Sequence, residues 1–124
     1  MIYTSYYGNS KKYLGFVNFF RLGISYYVFE GACDRHIMGL APTRRLLADY
    51  KDGKISEEEY TKEYIKDLDE LKENGFLEKF VNYYNNHPMD VVLLCYEAPG
   101  KFCHRHLLAN YLNQHFNTNI KELE

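Results

Sequence analysis

The sequence predicts an α/β fold: a small sheet with at least one central parallel strand and helices packed on both faces. Three observations carry this. "VVLLCY", residues 91–96, is continuously apolar, as an interior strand covered on both faces must be. The middle of the chain holds apolar residues at helical spacing, broken by capping and stop signals. The N-terminal third is instead rich in β-branched and aromatic residues, so strands and helices share the chain.

Taken in order, "IYTSYY" reads as a strand that turns at Gly8-Asn9. "GFVNFFRL" and "ISYYVF" read as a second strand region, broken at Gly23 by a turn or bulge. "EGACDRHIMGLAPT" has no clear period and is a candidate functional loop. Thr43 caps a short helix with Leu46, Leu47 and Tyr50 inward, ended by Asp52-Gly53. "SEEEY" is a capping box from Ser56 to Glu59; Tyr60, Tyr64, Leu68 and Leu71 then form one stripe, and Asn74-Gly75 stops the helix. Phe76, Leu77, Phe80, Val81 and Tyr84 mark another helix before "NNHP". The helix after residue 103 buries Leu107, Leu108, Tyr111, Leu112 and Phe116, and "NIKELE" either adds an edge strand or frays.

A length of 124 residues suits one domain, 1–124, with one core. Hydrophobic content of 46% and charged content of 26% argue for a globular chain and against disorder. No apolar run approaches the roughly 20 residues that span a bilayer, and the N-terminus does not have the pattern of a signal peptide. The expectation is a soluble cytoplasmic protein. Cys33, Cys95 and Cys103 form an odd set without a secretory signal, which favours reduced thiols. Net charge is −2, no general signal for nucleic acid. Residues 52–73 hold nine acids against four lysines, the wet face of the amphipathic helix, and all five arginines lie in the basic remainder. The 13 tyrosines could stack bases or fill the core with their hydroxyls wet.

The chemistry gathers where the apolar strand hands over to the last helix. Ligands of open α/β sheets bind beyond the carboxyl ends of strands. Cys95 ends the strand, Glu97 enters the loop, Pro99-Gly100 turns it, and Cys103 opens the helix. Backbone N–H groups at a helix start favour an anion or a thiolate, and Arg105 adds a forked donor. At about 100° per residue, His104 falls near the centre of the apolar stripe, Arg105 at its edge, and His106 on the far, solvated side. Taken singly, Cys95 and His104 also read as core residues, Glu97 and Arg105 as surface charges. The signature of a cysteine phosphatase fails, because six residues on from Cys95 stands Lys101 and Arg105 is ten away. A zinc site could draw on Cys95, Cys103 and a histidine, with Cys33 or His36, but there is no compact cysteine pair. A Cys95–Cys103 disulfide is geometrically conceivable and disfavoured by a reducing compartment. The remaining reading is an anion-binding pocket in which Cys103 is activated by the helix start and His104, with Glu97 as acid, base or orienter.

"LLCYEAPGKFCHRHLLANYL" resembles the signature region of the domain-of-unknown-function 488 family: an apolar strand, Cys-Tyr-Glu, a Pro-Gly loop, then Cys-His-Arg opening a helix. The resemblance extends to "IYTSYYGN" and to "LAPTRRLLADYKDGKISEEEYTKEY", and so covers most of the chain. It maps Cys95, Glu97, Cys103, His104 and Arg105 onto the family's signature positions, and Arg21 in "FFRLG" onto an early arginine-containing strand. The aspartate-valine-arginine element of longer members is missing, which places the chain with shorter relatives. The resemblance implies fold and site, and no reaction.

The leading expectation is an enzyme-like pocket for a small anionic ligand, a nucleotide or a nucleic-acid end, with no cofactor. Its candidate catalytic residues are Cys103, His104, Glu97 and Cys95, and its candidate ligand-binding residues Arg105 and Arg21. The alternative is a protein- or nucleic-acid-binding module with Tyr3, Tyr6, Tyr7, Tyr26 and Tyr27 as an aromatic face beside Arg21 and Arg44. A structural zinc domain comes third.

Overall fold

In a computed structural model of the chain, residues 1–98 and 100–123 are described. Five strands, β1 (Ile2–Tyr6), β2 (Phe19–Gly23), β3 (Arg35–His36), β4 (Asp90–Cys95) and β5 (Lys121–Glu122), form one sheet in the order β3-β2-β4-β1-β5. Every pairing is parallel. The apolar run is central for a physical reason. Val91, Val92, Leu93, Leu94 and Cys95 are all at most 1% exposed, so both faces of β4 need cover.

The two faces are covered differently. Val91 and Leu93 point into a large cluster with Leu22, Leu68, Leu77, Leu108 and Leu112, where α1 (Arg44–Lys51), α2 (Glu57–Glu73), α3 (Phe76–Asn85) and α4 (His104–Phe116) all pack. Val92 and Leu94 point the other way, toward Tyr7, Phe16 and Ala32. That side is roofed by short 3-10 turns at Tyr7–Lys11 and Leu14–Phe16 and by the loop after β2, not by an α-helix. Leu14, Gly15 and Phe16 carry φ of 51°, 75° and 59°, and the strain of the left-handed region at Phe16 is offset by its burial beside Tyr13 and Phe19.

The helix signals hold in detail. Thr43 Oγ1 accepts from the Leu46 amide at 3.2 Å, and Ser56 Oγ from the Glu59 amide at 3.1 Å. Asn74 ends α2, and Gly75, at φ 84°, allows the sharp change of direction into α3. Of the two readings left open for "NIKELE", the edge strand forms, at Lys121–Glu122 beside β1; Glu124 lies outside the described residues.

One expected strand does not form. Pairing of β2 stops when the Ile24 amide donates to Leu94 O, and Ser25–Phe29 leave the sheet as a loop. Ser25 explains why. Its Oγ donates to Tyr27 O at 2.6 Å, so the Tyr7 hydroxyl must donate to Ser25 at 2.8 Å, and His36 Nε2 meets Ser25 O at 2.7 Å. These bonds override the β-propensity of "ISYYVF" and fold it over the ends of the strands. Gly23 makes the bend possible, since a Cβ there would lie 2.9 Å from both the Tyr7 hydroxyl and Cys33 Sγ. Inside the presumed functional loop, Arg35–His36 instead pairs with β2 as β3. Among the described residues no helix is long and apolar enough to cross a membrane.

Candidate functional site

The register sets Tyr6 opposite Cys95 and Gly23 opposite Leu94, so β1, β2 and β4 end together. Beyond them lies a cavity of about 160 Å³. Cys95, Cys103 and His104 line one side; Tyr26 and Tyr27 from the loop after β2, with Tyr50, Tyr60 and Phe102, form much of the rest. Tyr27 and Tyr96 are more than 45% exposed and mark the mouth. The location is the one expected for an open α/β sheet.

Arg105 lies behind the cavity wall and is fully buried. Its guanidinium has three partners. Nε and Nη2 donate to the Glu122 carboxylate at 3.1 and 2.8 Å, and Nη1 donates to Cys95 Sγ at 2.9 Å and to Glu97 O at 2.5 Å. Thr4 Oγ1 donates to Glu122 at 2.6 Å, and the Tyr6 ring lies 5.8 Å from the guanidinium carbon. The arginine thus ties α4 to β1, β4 and β5 and spends its charge inside the protein. Among the described residues Lys51 is the only lysine or arginine lining the cavity, and Glu97 lines it too. The junction is concave, as the sequence suggests, but Arg105 does not make its surface electropositive.

The two neighbouring thiols are unlike each other. The Cys103 S–H bonds to the Cys95 sulfur, which favours the Cys95 thiolate. Burial works against that thiolate; the charge and hydrogen bond of Arg105 and the Glu97 amide work for it, and the thiol of Cys95 is lowered on balance. The same bond, with burial, pushes the Cys103 thiol far up, although His104 pulls it back in part. Cys103 is the residue the sequence marks for activation, on its place at the helix start. The order is the reverse: Cys103 is the N-cap with no side-chain capping bond, and it is the Cys95 thiol that is lowered while that of Cys103 is raised.

His104 is held by its far nitrogen. Nε2 lies 2.7 Å from Ile24 O, which can only accept, so Nε2 carries a proton; in the neutral ring Nδ1 is then an acceptor, 3.8 Å from Cys103 Sγ. The Tyr64 ring meets the imidazole edge to face at 5.6 Å, and the Tyr64 hydroxyl is anchored to Leu40 O. A line therefore runs from Cys95 through Cys103 to His104. Glu97 stands at the mouth on an exposed loop, with its backbone rather than its carboxylate engaged by Arg105. Pro99, part of the expected turn, lies outside the described residues; Gly100 has φ 83°.

Arg21 is not part of this group. Its guanidinium pairs with Asp34 at 3.1 Å and with Gly31 O at 3.0 Å, between β2 and the segment leading into β3. Burial opposes the Asp34 charge, and the bonds from Arg21 outweigh it, so that carboxyl is lowered. His106, expected to be solvated, is half-buried, and burial holds its pKa down. Among the described residues no group of three or more His, Cys, Asp or Glu side chains is arranged to hold a metal ion. The aromatic face does not assemble either: Tyr7 is buried, Tyr3, Tyr6 and Tyr26 are partly buried, and Tyr27 alone of the five is exposed.

Sequence reasoning missed Glu122 and the tyrosine lining of the cavity. Glu122 is 17 residues from Arg105, too far for any helical or turn spacing to reveal. Tyr26 and Tyr27 read from the sequence as β-formers and as part of an exposed aromatic face, and nothing there placed them in the cavity wall.

The family model described as DUF488-N3a, the active DUF488-N3 subclade, matches residues 11–116. The chain belongs to the DUF488 family. The matched span includes β2, β4, all four α-helices and every residue from Cys95 to Arg105. Neither the curated proteins nor the solved structures contain a match to this DUF488 chain.

Proposed function

We propose that this protein is a cysteine-dependent enzyme whose nucleophile is Cys95, and that the anion for which the strand-to-helix junction is built is the Cys95 thiolate itself. The observation that carries this reading is the 2.9 Å bond from Arg105 Nη1 to Cys95 Sγ at the wall of an open cavity. A guanidinium held by a carboxylate on one side and a sulfur on the other keeps that sulfur ionised and fixed in direction. Cys103 positions the thiolate, and the free Nδ1 of His104 accepts a proton from Cys103 when charge leaves Cys95. Glu97, at the mouth, is the general acid or base that meets the substrate. Arg105 positions the nucleophile, and Arg21 is structural. The description of the matching subclade as active is in keeping with an enzyme.

The lining favours a planar ligand. An engineered apolar cavity of about 150 Å³ holds one benzene ring, and this one is of similar size and walled by tyrosines. Base-on-aromatic stacking contributes about 1–3 kcal/mol per base. A nucleotide fits if its base enters the cavity and its phosphate turns to Lys51. Nothing favours the non-enzymatic aromatic-face reading, because most of its tyrosines are covered.

Protection from alkylation tests the proposal. Iodoacetamide at neutral pH is expected to label Cys95 before Cys103, and nucleosides or nucleotides of one class to slow that labelling at least tenfold. Unchanged labelling across bases, nucleosides and nucleotides would remove the nucleotide class. A Cys95 that stays unlabelled while Cys103 reacts would remove the nucleophile.

A further inference from the structure

We infer that Cys95 and Cys103 are a redox couple: a hydroperoxide oxidises Cys95 in the cavity, and Cys103 resolves the product into a Cys95–Cys103 disulfide that closes the site. The inference rests on the proposed identity of Cys95 as the reactive thiol, but not on any substrate class.

The two sulfurs come from different elements. One ends β4 and the other caps α4, and both line one cavity. Both thiols are buried beside that cavity, so a disulfide would join the end of β4 to the start of α4. Access is supplied by the cavity, which opens to solvent beside Tyr27 and Tyr96.

The steps balance. The Cys95 thiolate attacks the distal oxygen of the hydroperoxide and the O–O bond breaks. Cys95 becomes a sulfenic acid, losing two electrons, and the peroxide leaves as an alcohol or water after taking a proton. Arg105 beside the sulfur stabilises the charge that passes to the leaving oxygen. Cys103 sulfur then attacks Cys95 sulfur, its proton passes by way of His104 Nδ1 to the sulfenic oxygen, the S–O bond breaks, and that oxygen departs as water. A dithiol reductant returns the pair to two thiols.

Oxidation itself switches Cys103 from donor to attacker. The largest influence that holds the Cys103 proton on is its bond to the Cys95 thiolate. Once Cys95 is a neutral sulfenic acid that influence is gone, while the pull of His104 remains. Cys33, in the loop after β2, does not line the cavity and stays a thiol.

Peptide mass gives a direct test, because Lys101 lies between the two cysteines. Trypsin separates residues 80–101, holding Cys95, from residues 102–105, holding Cys103. After hydrogen peroxide at one to five equivalents, the full chain is expected to give these two peptides joined and lighter by two hydrogens, and to split on treatment with dithiothreitol. In Cys103→Ser the reaction should stop at a Cys95 sulfenic acid that dimedone captures. Three free thiols after peroxide, a bridge to Cys33, or direct over-oxidation of Cys95 in the unmutated chain would overturn the couple. If Cys95 still alkylates first at neutral pH in that case, the proposed nucleophile survives and only the redox inference falls.

Discussion

Arg21 on β2 and Arg105 on α4 invite comparison, since each is an arginine paired with a carboxylate. Arg21 is 27% exposed in its side chain and bonds Asp34 and a loop carbonyl, and water shares in its solvation. Arg105 has no exposed surface, and its donors are divided between Glu122, the Glu97 carbonyl and a cysteine sulfur. An exposed pair of the first kind contributes about 0–1 kcal/mol. A buried charge of the second kind survives only if each partner stays in place. The difference teaches that arginine content says little about ligand charge. What matters is how much of each guanidinium is left over, and at Arg105 the remainder is directed at Cys95.

The comparison is broken most severely at Glu122. Glu122→Gln leaves a buried guanidinium without its counter-charge and is expected to cost about 3–5 kcal/mol in urea unfolding. Asp34→Asn, the matching change at the exposed pair, should stay within about 1 kcal/mol. Equal losses would erase the distinction.

Next in size is the effect on the thiol. Cys103→Ala removes the largest influence that lowers Cys95, and Arg105→Lys replaces a fork by a point charge. Each unit by which the Cys95 pKa climbs reduces thiolate roughly tenfold at pH values below it. Alkylation of Cys95 at pH 7 should therefore slow by about tenfold in Cys103→Ala and by less in Arg105→Lys. Cys103→Ser, which keeps a donor, should lie nearer the unmutated rate.

A smaller signature is the dependence of stability on pH. Cys95 ionises more readily folded than unfolded, so its contribution is complete above the unfolded thiol value of about 8.5. It is lost as pH falls through the lowered folded value, where the unfolded chain binds more protons. Stability should rise across that window in the unmutated chain, and Cys95→Ser should flatten the slope. The smallest expected change is at Arg21. Arg21→Ala should cost under about 1 kcal/mol and leave Cys95 alkylation unaltered.

Local signals made much of this molecule legible. The continuous apolar run of β4 announced a doubly covered strand, and Thr43, Ser56 and Asn74-Gly75 announced helix ends, because each depends on residues within four positions. The junction itself was legible for the same reason: Cys95, Glu97, Cys103, His104 and Arg105 lie within eleven consecutive residues. What the sequence hid was direction. Whether Arg105 faces a guest or the interior depends on Glu122, delivered by a two-residue edge strand on the far side of β1. Which thiol is lowered depends first on the bond between the two cysteines and then on which one that arginine reaches. "ISYYVF" misled because its strand propensity is real, and only long-range bonds from Tyr7 and His36 to Ser25 draw it off the sheet.

The pH profile of cysteine alkylation in the folded chain tests the arrangement most directly. Peptide mass can follow Cys95 and Cys103 separately. Cys95 should react with a midpoint below that of an ordinary thiol, while Cys103 stays unlabelled at the same pH. A midpoint at or above the ordinary thiol value, or labelling of Cys103 first, would mean that Arg105 and Cys103 do not hold a thiolate at the end of β4.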